Sequence, residues 1–274
     1  MEHSQRVRRV LTADQVRGFH NSGFLAISEP IVDTAELARL RSLYDRMFEE
    51  RVGRAEGNQF DLAGPDEEGE PARLSQILHP HHYYPDLQGP YVDTVHDIAR
   101  QLLGPRVTTE IFHAILKPAS FGAPTPWHQD EAYWAPDRLY RSISIWIPLQ
   151  DATIENGCLW FNEGSHEWDV LPHRSIGNDP RVHGLELIDD SVIQDKVACP
   201  LPAGGATIHR NRTAHYAGPN LTGQPRRALV LSATLPDRPN PALRRFPWNE
   251  QRQTARDRRA LTAGKDKGSG TASR

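Results

Sequence analysis

The sequence predicts a mainly β, α+β domain of the sandwich or jelly-roll kind, with helices gathered at its N-terminal end. Three observations carry this. Within the first hundred or so residues, three stretches repeat apolar side chains at helical spacing. From Val107 onward the pattern changes to short β-type runs set between Pro- and Gly-containing turns, which suits packed antiparallel sheets better than alternating βαβ units. Residues 251–274 are rich in Arg, Lys, Gly, Ser and Thr and nearly empty of large apolar side chains, so one domain over residues 1–250 followed by a disordered basic tail is expected.

The elements follow in order. Thr12 and Gln15 have the spacing of a capping box; the helix they open runs through Val16 and Phe19 and meets a stop at Gly23. Phe24-Leu25-Ala26-Ile27 reads as a short strand. Asp33 with Glu36 opens a second helix, in which Leu37, Leu40, Leu43, Tyr44, Met47 and Phe48 form one apolar stripe that ends before Gly53. Residues 53–71, rich in Gly, Glu and Asp, are expected to form a mobile loop. A third helix fits Tyr91 to Leu103, closed by Gly104-Pro105. Strands are expected over Val107–Leu116, Ser142–Leu149, Cys158–Phe161, Ala206–His209 and Ala228–Leu235. In the second of these, Ile143, Ile145, Ile147 and Leu149 share one face, while Ser142, Ser144 and Trp146 share the other. The aliphatic face can pack on the helices. The Ser/Ser/Trp face suits the wall of a polar pocket, although a lone tryptophan there also fits an ordinary core position.

Composition narrows the function classes. A net charge of −3 gives no global reason to expect nucleic acid or an anionic membrane as partner, and no apolar run is long enough to span a bilayer. The opening Met1-Glu-His-Ser-Gln-Arg lacks the basic-then-apolar pattern of a secretory signal. Cys158 and Cys199 are too few for a disulfide scaffold and lack metal-site spacing; buried thiols in a reducing cytoplasm are the simplest reading.

The residues that carry chemistry are His128 and Asp130, in Pro126-Trp127-His128-Gln129-Asp130, and then His215 and Arg226. Two neutral imidazoles and one carboxylate can occupy one face of an octahedral Fe(II) and leave three positions open. On a strand, His128 and Asp130 at i and i+2 point to the same side, with Gln129 facing away. With 13 His in 274 residues, an isolated His-x-Asp would arise by chance about once, so the pattern gains weight only from its company. His209, six residues before His215, competes for the third ligand position. Arg227 competes with Arg226, and strand alternation lets only one of that pair face a pocket. His79, His81 and His82 cluster in sequence, but no carboxylate follows them at ligand spacing.

Four blocks resemble the phytanoyl-CoA dioxygenase family. They are Leu11 to Leu25, Leu116-Lys117-Pro118 leading to the His128–Asp130 pair, Glu155-Asn156-Gly157-Cys158-Leu159 with Glu163-Gly164-Ser165-His166, and His215-Tyr216-Ala217-Gly218-Pro219-Asn220 with Pro225-Arg226-Arg227-Ala228. The resemblance covers nearly the whole ordered chain and implies a double-stranded β-helix that uses Fe(II) and 2-oxoglutarate. Carried over residue by residue, it implies His128, Asp130 and His215 as iron ligands and Arg226 as the anchor of the cosubstrate's far carboxylate, a task suited to a planar two-pronged donor. It places Trp146, His113 and, more loosely, Gln76 as further cosubstrate contacts, and it favours His215 over His209, since His215 opens the Gly-Pro-Asn turn. The implied reaction is O2-dependent hydroxylation of a small organic molecule with release of succinate and CO2. Substrate contacts are expected from Tyr133, Trp134 and the segment Trp168 to His183. A non-heme iron halogenase needs the carboxylate position vacated, and Asp130 fills it. A cupin-type Zn or Mn enzyme does not need Arg226. A non-catalytic jelly-roll binding protein is expected to lack one of these four residues.

Overall fold

The structure, a computed structural model, describes residues 11–269. Helix α1 (Ala13–Ser22) begins with a complete capping box: Thr12 Oγ1 accepts the Gln15 N–H, and the Gln15 side chain accepts the Thr12 N–H. It stops at Gly23, whose φ of 85° disfavours any side chain, and a Cβ there would run into the His166 ring. Strand β1 (Phe24–Ile27) leads to α2 (Thr34–Glu49), N-capped by Asp33. After β2 (Gln59–Asp61) and β3 (Ser75–Leu78) comes α3 (Pro90–Leu103), opened by Pro90 at its first turn and closed by Gly104.

The remaining chain is mostly strand: β4 (Thr108–Lys117), β5 (Thr125–His128), β6 (Arg138–Pro148), β7 (Leu159–Asn162), β8 (His173–Ser175) and β9 (Leu185–Leu187). There follow β10 (Lys196–Cys199), β11 (Ala206–Arg210), β12 (His215–Ala217) and β13 (Arg226–Pro239), then helices α4 (Pro247–Gln251) and α5 (Ala255–Ser269). The strands form a seven-stranded sheet ordered β1-β11-β6-β13-β4-β3-β2 and a four-stranded sheet ordered β10-β7-β12-β5, with β8 and β9 as a separate pair. The pairings are antiparallel, and the two larger sheets make a double-stranded β-helix.

Side-chain alternation decides what each face of the large sheet does. Ile143, Ile145 and Ile147 on β6, with Leu229 and Leu231 on β13, pack against Phe19, Leu40, Tyr44 and Ile98 of the three N-terminal helices in one buried cluster. The opposite face carries Trp146, Ala228 and Val230, which meet Leu159, Phe161 and Ala217 of the smaller sheet. The polar site lies on this inter-sheet face. Cys158 and Cys199 are buried free thiols in the same cluster, and burial pushes the Cys199 thiol up to about 12.

Two expectations are corrected. Residues 53–71 are not a mobile loop: they contain β2, and Phe60 is fully buried. The acidic residues there work as internal acceptors. Asp61 takes backbone N–H groups from Ala63, Arg73 and Leu74, and Asp66 is paired with Arg54 and Arg259. The segment after residue 250 was expected to be disordered, yet α5 occupies Ala255–Ser269. Its arginines supply the packing that apolar side chains usually provide. The Arg256 guanidinium lies 5.2 Å from the Phe60 ring centre, and Arg259 reaches Asp66. The last five residues of the expected tail, 270–274, and the N-terminal residues 1–10 lie outside the described chain. Among the described residues no helix is long and apolar enough to cross a membrane.

Candidate active site

Strand register brings the chemistry-bearing residues together. His128 on β5 and His215 on β12 are direct cross-strand partners, and their ring centres lie 4.1 Å apart. Strand β5 ends at His128, but Gln129 keeps extended angles (φ −120°, ψ 131°), so Asp130 still emerges on the His128 side. Gln129 turns away and is tied by its side chain to Asp169, Leu171 and Arg212.

Each imidazole has its tautomer set by a backbone carbonyl. A carbonyl only accepts, so His128 Nδ1–H donates to Pro126 O at 2.8 Å and His215 Nδ1–H donates to Thr213 O at 3.0 Å. Both Nε2 lone pairs are left for a ligand. Asp130 Oδ1 faces them, 3.8 Å from His128 Nε2 and 3.6 Å from His215 Nε2. One potential ligand atom from each of the three residues lies within 4.8 Å of the others, a spacing that suits one metal ion. Burial lowers the pKa of both histidines, His215 the more, which keeps them neutral. Burial works against the Asp130 carboxylate, but the surrounding His215, His209 and His128 imidazoles hold its pKa below the ordinary value.

The other oxygen, Asp130 Oδ2, is engaged by residues whose roles the sequence did not disclose. It accepts from Ser144 Oγ at 2.8 Å and from His209 Nε2 at 3.2 Å. Ser144 and His209 are themselves register partners across β6 and β11. His209, the rival in sequence for the third ligand position, thus sits behind the carboxylate, and His215 sits beside its free oxygen. The polar alternation of β6 was the one sequence signal that pointed to Ser144.

A cavity of about 290 Å³ opens over these residues, and Arg226, Trp146, His113 and Gln76 line it. Trp146, Val230 and His113 lie in one row across β6, β13 and β4. Burial lowers the pKa of His113 to about 4, so that wall is neutral. Arg226 is 2% exposed, its Nε and Nη1 have no hydrogen-bond partner, and its guanidinium lies 5.4 Å from the Trp146 ring. Burial lowers its pKa to about 10, which still leaves it cationic at neutral pH. Its register partner Lys117 is also fully buried; burial, and then the Arg226 charge, push its pKa well below the ordinary lysine value, and its amine donates to the carbonyls of Ala217 and Gly218 and so ties β4 to β12. Arg227 points the other way and makes a two-pronged bond to Asp45 of α2 at 2.5 and 2.9 Å.

Tyr133 and Trp134 both line the cavity. From the segment Trp168 to His183, only His183 does so; Trp168 packs instead on a cluster that holds Trp127 and Leu187. His81 of the His79–His82 cluster donates to Ile111 O, and His79 approaches Glu110 at 3.5 Å. Among the described residues the only metal-sized grouping is His128, Asp130 and His215.

The sequence of residues 19–228 matches the phytanoyl-CoA dioxygenase (PhyH) family. The chain belongs to that family. It is a 2-oxoglutarate-dependent non-heme iron oxygenase. Among solved structures it resembles EvdO2 of Micromonospora carbonacea var. aurantiaca in complex with 2-oxoglutarate, at 39% identity and a TM-score of 0.75, over 89% of this chain and 99% of that one. A probable alpha-ketoglutarate-dependent hypophosphite dioxygenase of Stutzerimonas stutzeri is 27% identical over 82% of this chain and 79% of its own length. The L-proline trans-4-hydroxylase of Streptomyces griseoviridis is 32% identical over 49% of this chain and 57% of its own.

Proposed function

We propose that this oxygenase hydroxylates a C–H bond of a small organic molecule, with His128 Nε2, His215 Nε2 and Asp130 Oδ1 holding Fe(II) and Arg226 holding 2-oxoglutarate. The observation that carries this is the pairing of a neutral-imidazole, carboxylate trio with a buried guanidinium whose Nε and Nη1 are unpartnered in the same cavity. A buried cation without a partner is costly, and a dicarboxylate supplies what Arg226 lacks. Bound together, iron and 2-oxoglutarate supply O2-dependent oxidising power and release succinate and CO2.

The chain's own residues do the positioning. The carbonyls of Pro126 and Thr213 fix both imidazoles with Nε2 turned inward. Ser144 and His209 occupy Asp130 Oδ2, which directs Oδ1 toward the ion. Trp146 and Val230 wall the space beside Arg226 and exclude water from the cosubstrate's charged end, where a charge-assisted bond gains strength. Asp130 also fills the position that a halide would need, which supports oxygen insertion over halogenation. Tyr133, Trp134 and His183 are the substrate-facing wall in this reading. The two buried free thiols suit a reducing cytoplasm.

The test begins with anaerobic Fe(II) and 2-oxoglutarate, a pair expected to give a weak visible charge-transfer band with this protein. His128→Ala and Asp130→Ala should each abolish it; a band that survives both places the metal elsewhere. A substrate screen that follows succinate and product mass then tests hydroxylation, read as the gain of one oxygen.

A further inference from the structure

Charge in the cavity does not balance. With Fe(II) and 2-oxoglutarate bound as proposed, Asp130 and the two cosubstrate carboxylates would offset the ion and Arg226, so the catalytic end would close near neutral. Two further arginines, Arg252 and Arg256, line the same cavity, and Asp130 is the only carboxylate on its described walls. Arg252 meets no carboxylate at hydrogen-bond distance among the described residues. Its guanidinium lies 5.7 Å from the Tyr133 ring centre, Nη1 donates to His183 O at 3.3 Å, and the buried Nε has no partner. Arg256 is partly answered by Asp257 at 3.0 Å, and its Nε is likewise buried and unpartnered.

Both arginines are held in place firmly. The segment that carries them is fastened to the residues directly after Asp130. Arg244 pairs with the fully buried Glu131 at 2.7 Å, and Trp248 Nε1 donates to Ala132 O at 2.9 Å. Gln253 N–H donates to Pro180 O at 2.8 Å, and the buried Thr254 caps α5 through the Asp257 N–H. The family match ends at residue 228, so these arginines come from outside the stretch that marks the family.

We propose that Arg252 and Arg256 form a subsite for an anionic oxygen-bearing group of the substrate, carboxylate or phosphate, and so select for acidic substrates. The proposal rests on the iron and 2-oxoglutarate reading of the same cavity. Arg252 is the principal donor, because Arg256 already shares its charge with Asp257. Tyr133 holds the Arg252 plane from one side, and the Tyr133 hydroxyl is itself fixed by the Leu185 N–H at 2.7 Å. A guanidinium held in this way can offer parallel N–H groups to two oxygens of one anion.

The experiment is anaerobic calorimetry on protein loaded with Fe(II) and saturating 2-oxoglutarate, with phenyl phosphate, benzoate and phenol as probes. At least one of the two anions should bind, more than tenfold tighter than phenol, and their ranking separates a phosphate from a carboxylate subsite. Arg252→Gln should weaken that anion roughly ten- to a hundredfold, the range of one charge-assisted bond, and Arg256→Gln should weaken it less. Both variants should keep the charge-transfer band, which also reports that they fold. The proposal is overturned if neither anion binds, if phenol binds as well, or if Arg252→Gln binds the anion as the wild type does. It is also overturned if the anion displaces the band or if Arg252→Gln loses it. Should the band never form in the wild type, the iron and 2-oxoglutarate reading is what has failed; the same titrations on metal-free protein then decide the subsite alone.

Discussion

Replacing Arg226 by methionine separates binding from stability. Methionine keeps much of the length and the apolar stem but removes a cation that is 2% exposed and whose Nε and Nη1 have no partners. Loss of the charged bond to a carboxylate in a shielded site should cost about 2–5 kcal/mol, or roughly thirty- to several-thousand-fold in 2-oxoglutarate affinity. Stability of the ligand-free protein should move the opposite way. An uncompensated buried cation is a cost that methionine relieves by about 1–3 kcal/mol. The assay is urea unfolding with and without anaerobic Fe(II) and 2-oxoglutarate. Wild type should gain about 2.7 kcal/mol at a hundredfold excess over Kd, and Arg226→Met no more than about 0.9 kcal/mol at the same concentration. Arg227→Met is the control: it breaks a partly exposed pair with Asp45, should cost about 0.5–1 kcal/mol, and should leave 2-oxoglutarate affinity alone. Equal loss of affinity in the two variants would refute the assignment, as would a ligand-free Arg226→Met protein destabilised like a core cavity mutant.

Three more outcomes are expected. Ser144→Ala should keep the charge-transfer band but weaken metal affinity on the order of tenfold or more, since Asp130 loses one of the two donors that orient it; unchanged affinity would remove Ser144 from that role. Glu131→Gln should lower unfolding stability by about 3 kcal/mol in urea titrations, because Arg212 and Arg244 lose a fully buried counter-charge, and a loss under about 1 kcal/mol would show that they find other partners. Burial lowers the pKa of His173 from 6.5 to about 4, while its Nδ1–H donates to Leu171 O and its Nε2 accepts the Gln129 N–H. The unfolded chain therefore takes up this proton first as pH falls, so stability complete above pH 6.5 should drop by as much as about 3 kcal/mol on the way to pH 4. His173→Gln should flatten that part of the stability profile; an unchanged slope would assign it to other groups.

Much of the fold was legible because its signals are local. A capping box is a three-residue relation, and Thr12 and Gln15 form it as read. Alternation on a strand is a two-residue relation, and it sorted Ile143, Ile145 and Ile147 from Ser144 and Trp146 correctly. The same rule identified that Arg226 and Arg227 must point oppositely. It failed where composition stood in for partners. The acid-rich stretch 53–71 and the arginine-rich stretch after residue 250 each look solvated when read alone. They order one another, since Asp66 receives both Arg54 and Arg259 and Phe60 receives Arg256.

By itself, then, the sequence determined the residue types of the site, their order along the chain and the family they mark. Only the tertiary structure decided which of those residues meet. The pairing of His128 with His215 is a matter of register between strands far apart in sequence, and a slip of one residue would turn either imidazole to the wrong face. Whether His209 stands beside Asp130 Oδ1 or behind it at Oδ2 depends on where β11 lies against β6, which no local spacing encodes. The lack of a carboxylate beside Arg252 among the described residues likewise exists only in the folded chain. A guanidinium counts as unpaired only once the fold has fixed which carboxylates lie within reach of it.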